Sequence, residues 1–406
     1  VKWVAEIDRA ERIPEYLARA FHLAQSGRPG PVVLSLPEDL TSDHVTVPEG
    51  GFTARPMAPA ATTLAAPDPT QIAQAMAMLA KAERPFVMAG GPSWGDDGRD
   101  ALTRFVEANN LPVGCSFRAQ DRFDNRHQNY AGDVGIGINP ALAKAVDESD
   151  LLIVIGPRLG EMTTGGYSRV TPPKSHQTLI HIHPSDLELN SVYQADLAIQ
   201  SGCGLAAEAL AEQPAISNRP WDDWTAARQA DYQENIKPKP APGPLNMSEV
   251  MAHLNAVLPA DAIVCNGAGN STAWLHRHFQ YRDARTQAAP TSGAMGYGVP
   301  AAVAAALLYP ERDVIAVVGD GCFQMAMAEL GTVAQYGGKP VLIVVNNGMY
   351  GTIRMHQERE YPTRVIATDL VNPDFVELAQ SYGWHAARVT ETDQFASAYQ
   401  AAKDSG

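Results

Sequence analysis

One pair of residues in this sequence stands where it could hold a divalent cation. The apolar run Val314-Ile315-Ala316-Val317-Val318 leads into Gly319-Asp320-Gly321, and a second run, Val341-Leu342-Ile343-Val344-Val345, leads into Asn346-Asn347. Asp320 and Asn347 stand 27 positions apart, with helical sequence from Gln324 to Tyr336 between the runs. Runs of this kind read as buried parallel strands, consecutive strands are commonly neighbours, and ligands gather at the carboxyl ends of such strands. The pattern therefore brings a carboxylate and an amide carbonyl side by side. Both are hard oxygen donors suited to Mg²⁺, which completes its shell with phosphate oxygens and water. Gly319 and Gly321 let backbone approach an anion closely, and a helix beginning near Cys322 offers free amides and the positive end of its dipole. Gly-Asp-Gly or Asn-Asn-Gly alone is an ordinary turn signal. Their joint placement after two strands separated by a helix carries the reading.

The elements that must position this pair form a doubly wound α/β unit over residues 245–406. Ser248 is placed to cap a helix reaching Leu258, and a strand follows at 262–266. Ahead of it, Lys237-Pro238-Lys239-Pro240-Ala241-Pro242-Gly243-Pro244 is a semi-rigid polyproline spacer closing a linker region, 206–244. Residues 68–205 read as a second α/β unit. Its helices run over 70–81 and 98–109, and its strands over 85–89, 111–113, 151–156 and 178–182. The stretch 50–67, rich in Pro, Ala and Thr, is linker chemistry. In residues 1–49 a helix over 13–26 carries Ile13, Leu17, Ala20, Phe21 and Ala24 on one stripe, and a buried strand is expected over 31–37. One helix and one strand cannot close a core, so this segment reads as the tail of a domain.

Gly319-Asp320-Gly321 with Asn346-Asn347 resembles the signature of thiamine diphosphate-dependent enzymes, in particular the acetolactate synthase, pyruvate oxidase and benzoylformate decarboxylase group. Other segments agree. Gly30 through Asp39 resembles the last strand of that family's pyrimidine-binding domain; residues 68–205, including Ile155-Gly156-Pro157-Arg158-Leu159, resemble its central Rossmann-like domain. Ser292 through Ala302 resembles the segment that bends the cofactor. The resemblance implies Mg²⁺ on Asp320, the Asn347 side-chain carbonyl and the Met349 main-chain carbonyl. It further implies diphosphate contacts around Gly321, Cys322, Tyr350 and Gly351, with Gly269, Asn270 and Ser271 reaching in from the other side. Met295 would bend the cofactor, and the Gly293 carbonyl would accept a hydrogen bond from its amino group. Cys322 departs slightly from the usual Ser or Ala, which matters little where only backbone acts. The implied activity is decarboxylation or carboligation of a small 2-oxo acid, acetolactate synthase-like. The alternatives are an aryl or branched 2-oxo acid decarboxylase and a non-catalytic nucleotide-binding homologue. A homodimer or homotetramer with the active site between subunits is also implied.

The family's activating Glu belongs to the pyrimidine-binding domain. Glu6, Glu11 and Glu15 do not match its position, so no catalytic residue is identified, and the chain reads as truncated at both ends. Family members use the central domain for FAD, for another nucleotide or for nothing, and Arg158 does not decide among these. His181 and His183 share one face of a strand and, with Asp186, could begin a metal site; strand-end histidines beside a turn are the simpler reading. Tyr350, Thr352, Met355, His356 and Glu358 follow the metal loop and are placed to line a substrate pocket.

Composition narrows the partners. The chain has 406 residues and a formal charge of −14, with 45 % hydrophobic and 19 % charged residues. That hydrophobic content excludes a disordered chain. The acidic balance without a basic run argues against nucleic acid or an anionic membrane as partner, and no apolar stretch reaches the ~18 residues of a membrane span. Cys115, Cys203, Cys265 and Cys322 are dispersed, which reads as buried thiols in a cytoplasmic protein.

Overall fold

A computed structural model describes residues 1–46 and 63–406. Most of the expected linker 50–67, together with the end of segment 1–49, lies outside the described residues. The strands are β1 (Trp3–Glu6), β2 (Val32–Ser35), β3 (Pro85–Ala89), β4 (Val113–Ser116), β5 (Tyr130–Val134) and β6 (Leu151–Ile155). They continue with β7 (Thr178–His183), β8 (Leu197–Gln200), β9 (Ile263–Asn266), β10 (Gln287–Ala288), β11 (Val314–Gly319) and β12 (Val341–Val345). All strand pairs are parallel, in three sheets ordered β1-β2, β5-β4-β3-β6-β7-β8 and β10-β9-β11-β12. The α/β, parallel-sheet reading of the sequence holds.

In the six-stranded sheet, β3 and β6 are buried along their whole length, as continuous apolar runs covered on both faces require. Phe105, Leu102 and Val106, from the helix Gly98–Asn109, pack on one face. Burying a side chain such as Phe105 contributes about 2–3 kcal/mol. That helix ends at Asn110, which takes a left-handed conformation, a usual stop signal for Gly or Asn. The helix Pro69–Leu79 is capped by Asp68, whose carboxylate accepts from Thr70 N at 2.8 Å.

Several elements differ from expectation. Residues 203–211 and 222–236, largely inside the expected linker 206–244, are helices. Trp221 and Tyr232 bury themselves in the central core, so the region is part of that body, and the polar surface of the second helix conceals the anchoring. Four strands were not foreseen: β1, β5, β8 and β10. In segment 1–46, β1 pairs with β2, yet β2 alternates half-buried and exposed rather than being buried. The helix Ile13–Gln25 buries none of its residues and leaves Leu17 and Phe21 exposed. Ser248 is not the cap of its helix; Asn246 is, accepting from Ser248 N at 3.1 Å. The single helix expected over 324–336 is two, Asp320–Gln324 and Glu329–Tyr336. The intervening residues turn through i→i−3 bonds such as Glu329 N to Ala326 O, which tighten the backbone out of α geometry.

No helix among the described residues is long and apolar enough to cross a membrane. All four cysteines are free and buried.

Candidate functional site

The four-stranded sheet reverses its strand order between β9 and β11, and such reversals open a crevice at the carboxyl ends of the strands. Three strands deliver polar residues there: β9 ends in Asn266, β11 runs into Asp320, and β12 is followed by Asn346 and Asn347. Asp320 is only 2 % exposed. Its Oδ1 accepts from Gly321 N at 2.9 Å, and its Oδ2 accepts from Gly348 N at 2.8 Å and from Asn372 Nδ2 at 2.7 Å. Asn347 Oδ1 accepts from Met349 N at 3.2 Å. Met349 O accepts from Gly351 N at 2.9 Å, and Tyr350 N donates to Thr368 O at 2.8 Å. The amides of Tyr350 and Gly351 therefore already have backbone partners.

The glycine-rich segments close around this edge. A Cβ placed on Gly321 would lie 2.6 Å from the Tyr350 ring and 3.3 Å from Met295 Cε. Met295 thus reaches the Gly-Asp-Gly turn from across the crevice. The Cys322 thiol points to Ala268 O at 3.2 Å, tying the turn to the loop that carries Gly269, Asn270 and Ser271. Asn270 Oδ1 accepts from Thr352 Oγ1 at 2.8 Å, and Asn270 Nδ2 meets Met355 Sδ at 3.8 Å. Gly293, at φ +75°, sits on the turn closed by its own N–H to Pro290 O at 2.9 Å. The segments holding Gly269–Ser271, Gly293–Met295, Gly321–Cys322 and Asn347–Gly351 therefore converge.

Among the residues proposed to line a pocket, Thr352 and Met355 turn toward Asn270. Glu358 pairs with Arg354 at 2.9 Å, and His356 Nδ1 meets Arg359 Nη2 at 2.9 Å along the same helix, Gly351–Glu360.

The donors suit a magnesium-bound diphosphate. Asp320 is a buried carboxylate without an ion-pair partner among the described residues, and burying a charge is costly unless it is compensated. Asn266 Oδ1, at the end of β9, is buried with no hydrogen-bond partner. No group of three or more His, Cys, Asp or Glu forms a metal cluster among the described residues. A site here is built instead on one carboxylate with amide and carbonyl oxygens, the ligand chemistry of Mg²⁺. The same survey leaves His181 and His183 without a third ligand. His181 Nε2 meets Pro157 O at 2.9 Å, and burial pushes its pKa down to about 4.

Sequence reasoning missed the seam that ties this crevice to the central sheet. Arg118 donates to Pro290 O, beside Gly293. Gln120 N donates to Gln287 Oε1 at 2.7 Å, and Asp121 Oδ2 accepts from Thr286 N at 3.2 Å. Asp133 and His276 face each other at 4.0 Å in the same seam. Burial raises Asp133 to about 7, against a smaller lowering effect of Arg118, and burial lowers His276 to about 3. It also missed Asn372, whose only local signal, Asn-Pro-Asp ahead of a helix, marks a helix start.

Comparison with known proteins follows the same division. Residues 267–406 match the profile described as thiamine pyrophosphate enzyme, C-terminal TPP binding domain, and residues 72–210 match that of the central domain. The acetolactate synthase large subunit of Corynebacterium glutamicum is 31 % identical over 97 % of this chain and 63 % of its own length. The acetolactate synthase isozyme 2 large subunit of Escherichia coli is 30 % identical over 96 % of the chain and 69 % of its own. A probable acetolactate synthase large subunit of Methanocaldococcus jannaschii is 29 % identical over 96 % and 67 %. The chain thus spans between 63 % and 69 % of the length of these curated relatives.

Proposed function

Because the chain belongs to the thiamine pyrophosphate-dependent enzymes, we propose that it carries the metal- and diphosphate-binding half of an acetolactate synthase-like decarboxylase or carboligase acting on a small 2-oxo acid. The observation that supports this most directly is the buried Asp320 carboxylate at the strand-order reversal, held by neutral N–H donors and without a cationic side-chain partner among the described residues. When bound, thiamine diphosphate supplies a thiazolium carbanion equivalent and an electron sink for loss of carbon dioxide from a 2-oxo acid.

This chain's residues bind and orient. Asp320, the Asn347 amide oxygen and the Met349 carbonyl would hold Mg²⁺. The Gly321 amide already serves Asp320 Oδ1, so the amides from Cys322 on would receive the diphosphate, together with the loop Gly269–Ser271. Met295 would support the bound cofactor, and the Gly293 carbonyl would accept a hydrogen bond from its amino group, orienting it by proximity. The activating carboxylic acid comes from outside the positions identified on this chain. Thr352 and Met355 border the pocket for the 2-oxo acid. An assembly in which subunits share the site, as a homodimer or homotetramer, belongs to the same proposal, and a flavin absorbance band in the visible blue would place FAD on the central sheet.

Two measurements test the proposal. Calorimetry with thiamine diphosphate should show binding that requires Mg²⁺; metal-independent binding would sink the assignment. Pyruvate should give acetolactate; free aldehyde from benzoylformate instead would move the assignment to an aryl 2-oxo acid decarboxylase.

A further inference from the structure

The loop between the helices Gly351–Glu360 and Phe375–Ser381 braces the proposed metal loop at three points. Tyr350 N donates to Thr368 O at 2.8 Å, and Leu370 N donates to Gly348 O at 2.8 Å, so Met349 and Asp369 face each other in an antiparallel bridge. Two residues on, the Asn372 side chain crosses to the strand ends. Its Nδ2 donates to Asp320 Oδ2 at 2.7 Å and to Asn346 Oδ1 at 2.8 Å, and its own Oδ1 accepts from Gln324 Nε2. One amide thereby joins the end of β11 to the end of β12. Its orientation is fixed, because only the NH₂ side can donate to two oxygens while Gln324 donates to the carbonyl side.

The consequence for Asp320 is an asymmetry between its oxygens. Oδ2 receives Gly348 N and Asn372 Nδ2, which uses both of its in-plane lone pairs, whereas Oδ1 receives only Gly321 N. Resting on the metal-site reading above, we infer that Asn372 is a positioning residue for the metal: it saturates Oδ2, leaves Oδ1 as the oxygen presented to the divalent cation, and holds the two ligand-bearing strand ends in register. The brace works through hydrogen bonds and a neutral group, so it orients the carboxylate without adding a competing charge. Outer partners of this kind tune metal affinity by about 10- to 100-fold.

Mn²⁺ replaces Mg²⁺ as a spectroscopic probe, with inorganic pyrophosphate standing for the diphosphate, and the chain is used as it is. Mn²⁺ affinity and the electron paramagnetic resonance linewidth are measured for wild type, Asp320→Ala, Asn372→Leu and Gln324→Leu, alongside the Tm of each metal-free chain. Asn372→Leu keeps the branched shape and removes the donor. The expected result is about a tenfold loss of Mn²⁺ affinity with a changed linewidth, a smaller loss in Gln324→Leu, and a metal-free Tm within a few degrees of wild type. Unchanged affinity and linewidth in Asn372→Leu overturns the inference while leaving the metal site standing. A loss of affinity that only tracks a fall in metal-free Tm also overturns it, since the amide then serves general packing. Failure of wild type to bind Mn²⁺, or binding by Asp320→Ala equal to wild type, overturns the metal-site reading and the inference with it.

Discussion

The central and C-terminal sheets have the same construction and opposite edges. Both are wholly parallel and both reverse strand order once, between β3 and β6 in one and between β9 and β11 in the other. At the central reversal, backbone closes on backbone. Gly91 and Gly156 both have positive φ, and a Cβ on Gly156 would lie 2.0 Å from Gly90 O. At the C-terminal reversal, the turn glycine meets side chains, the Tyr350 ring and Met295. A crevice is thus a property of topology, and what fills it is decided by which atoms face it. At the switch point itself the contacts differ: backbone against backbone between Gly90 and Gly156, side chains against Gly321 beside the buried Asp320 carboxylate.

The sharpest way to break this contrast is Asp320→Ala. Removing one partner of a buried charge interaction costs about 4 kcal/mol, roughly a thousandfold in affinity. Metal-dependent binding of thiamine diphosphate should therefore vanish in calorimetry while the chain stays folded. At the central reversal the loss should fall on folding. Gly156→Ala places a Cβ against Gly90 O at positive φ, and about 3 kcal/mol of stability should disappear in urea unfolding. Gly321→Ala probes the C-terminal reversal with the same added methyl. Its neighbours are the far ends of Tyr350 and Met295, so cofactor affinity should drop about tenfold with a stability change near 1 kcal/mol. Equal stability losses at Gly156 and Gly321 would erase the distinction.

The last effect lies in the seam between the two bodies and is spread over pH. Asp133, raised by burial to about 7, binds a proton more tightly folded than unfolded, so its contribution is full at low pH and lost as pH rises toward 7. His276, lowered by burial to about 3, resists protonation when folded, so its contribution is present at neutral pH and lost as pH falls through 6.5 toward 3. The two slopes oppose each other between about pH 4 and 6.5. Asp133→Asn should leave stability rising with pH across that window, and His276→Gln should leave it falling, each by about 1 kcal/mol per pH unit in denaturant titrations. Parallel profiles in the two variants would show that the pair does not govern the seam.

Legibility in the sequence followed the range of the interactions. Strands β3, β6, β11 and β12 were readable because a strand buried on both faces must be a continuous apolar run. Asp320 and Asn347 stood out because they end such runs. Strand β5, with Gly132 and Asp133 inside it, carries no such pattern. The helix Asp222–Ile236 hid in polar sequence because two aromatics, Trp221 and Tyr232, do much of its anchoring.

By itself, then, the sequence determined the strand-ending carboxylate and amide, the glycines beside them and the doubly wound class, since each depends on local pattern or on residue chemistry. Only the tertiary structure decided that Asn372 reaches back to Asp320, that Arg118, Asp133 and His276 meet across a seam, and that backbone meets backbone at Gly156 while side chains meet Gly321. Those features join residues far apart in the chain, and their partners are set by the distances folding creates, which no local spacing encodes.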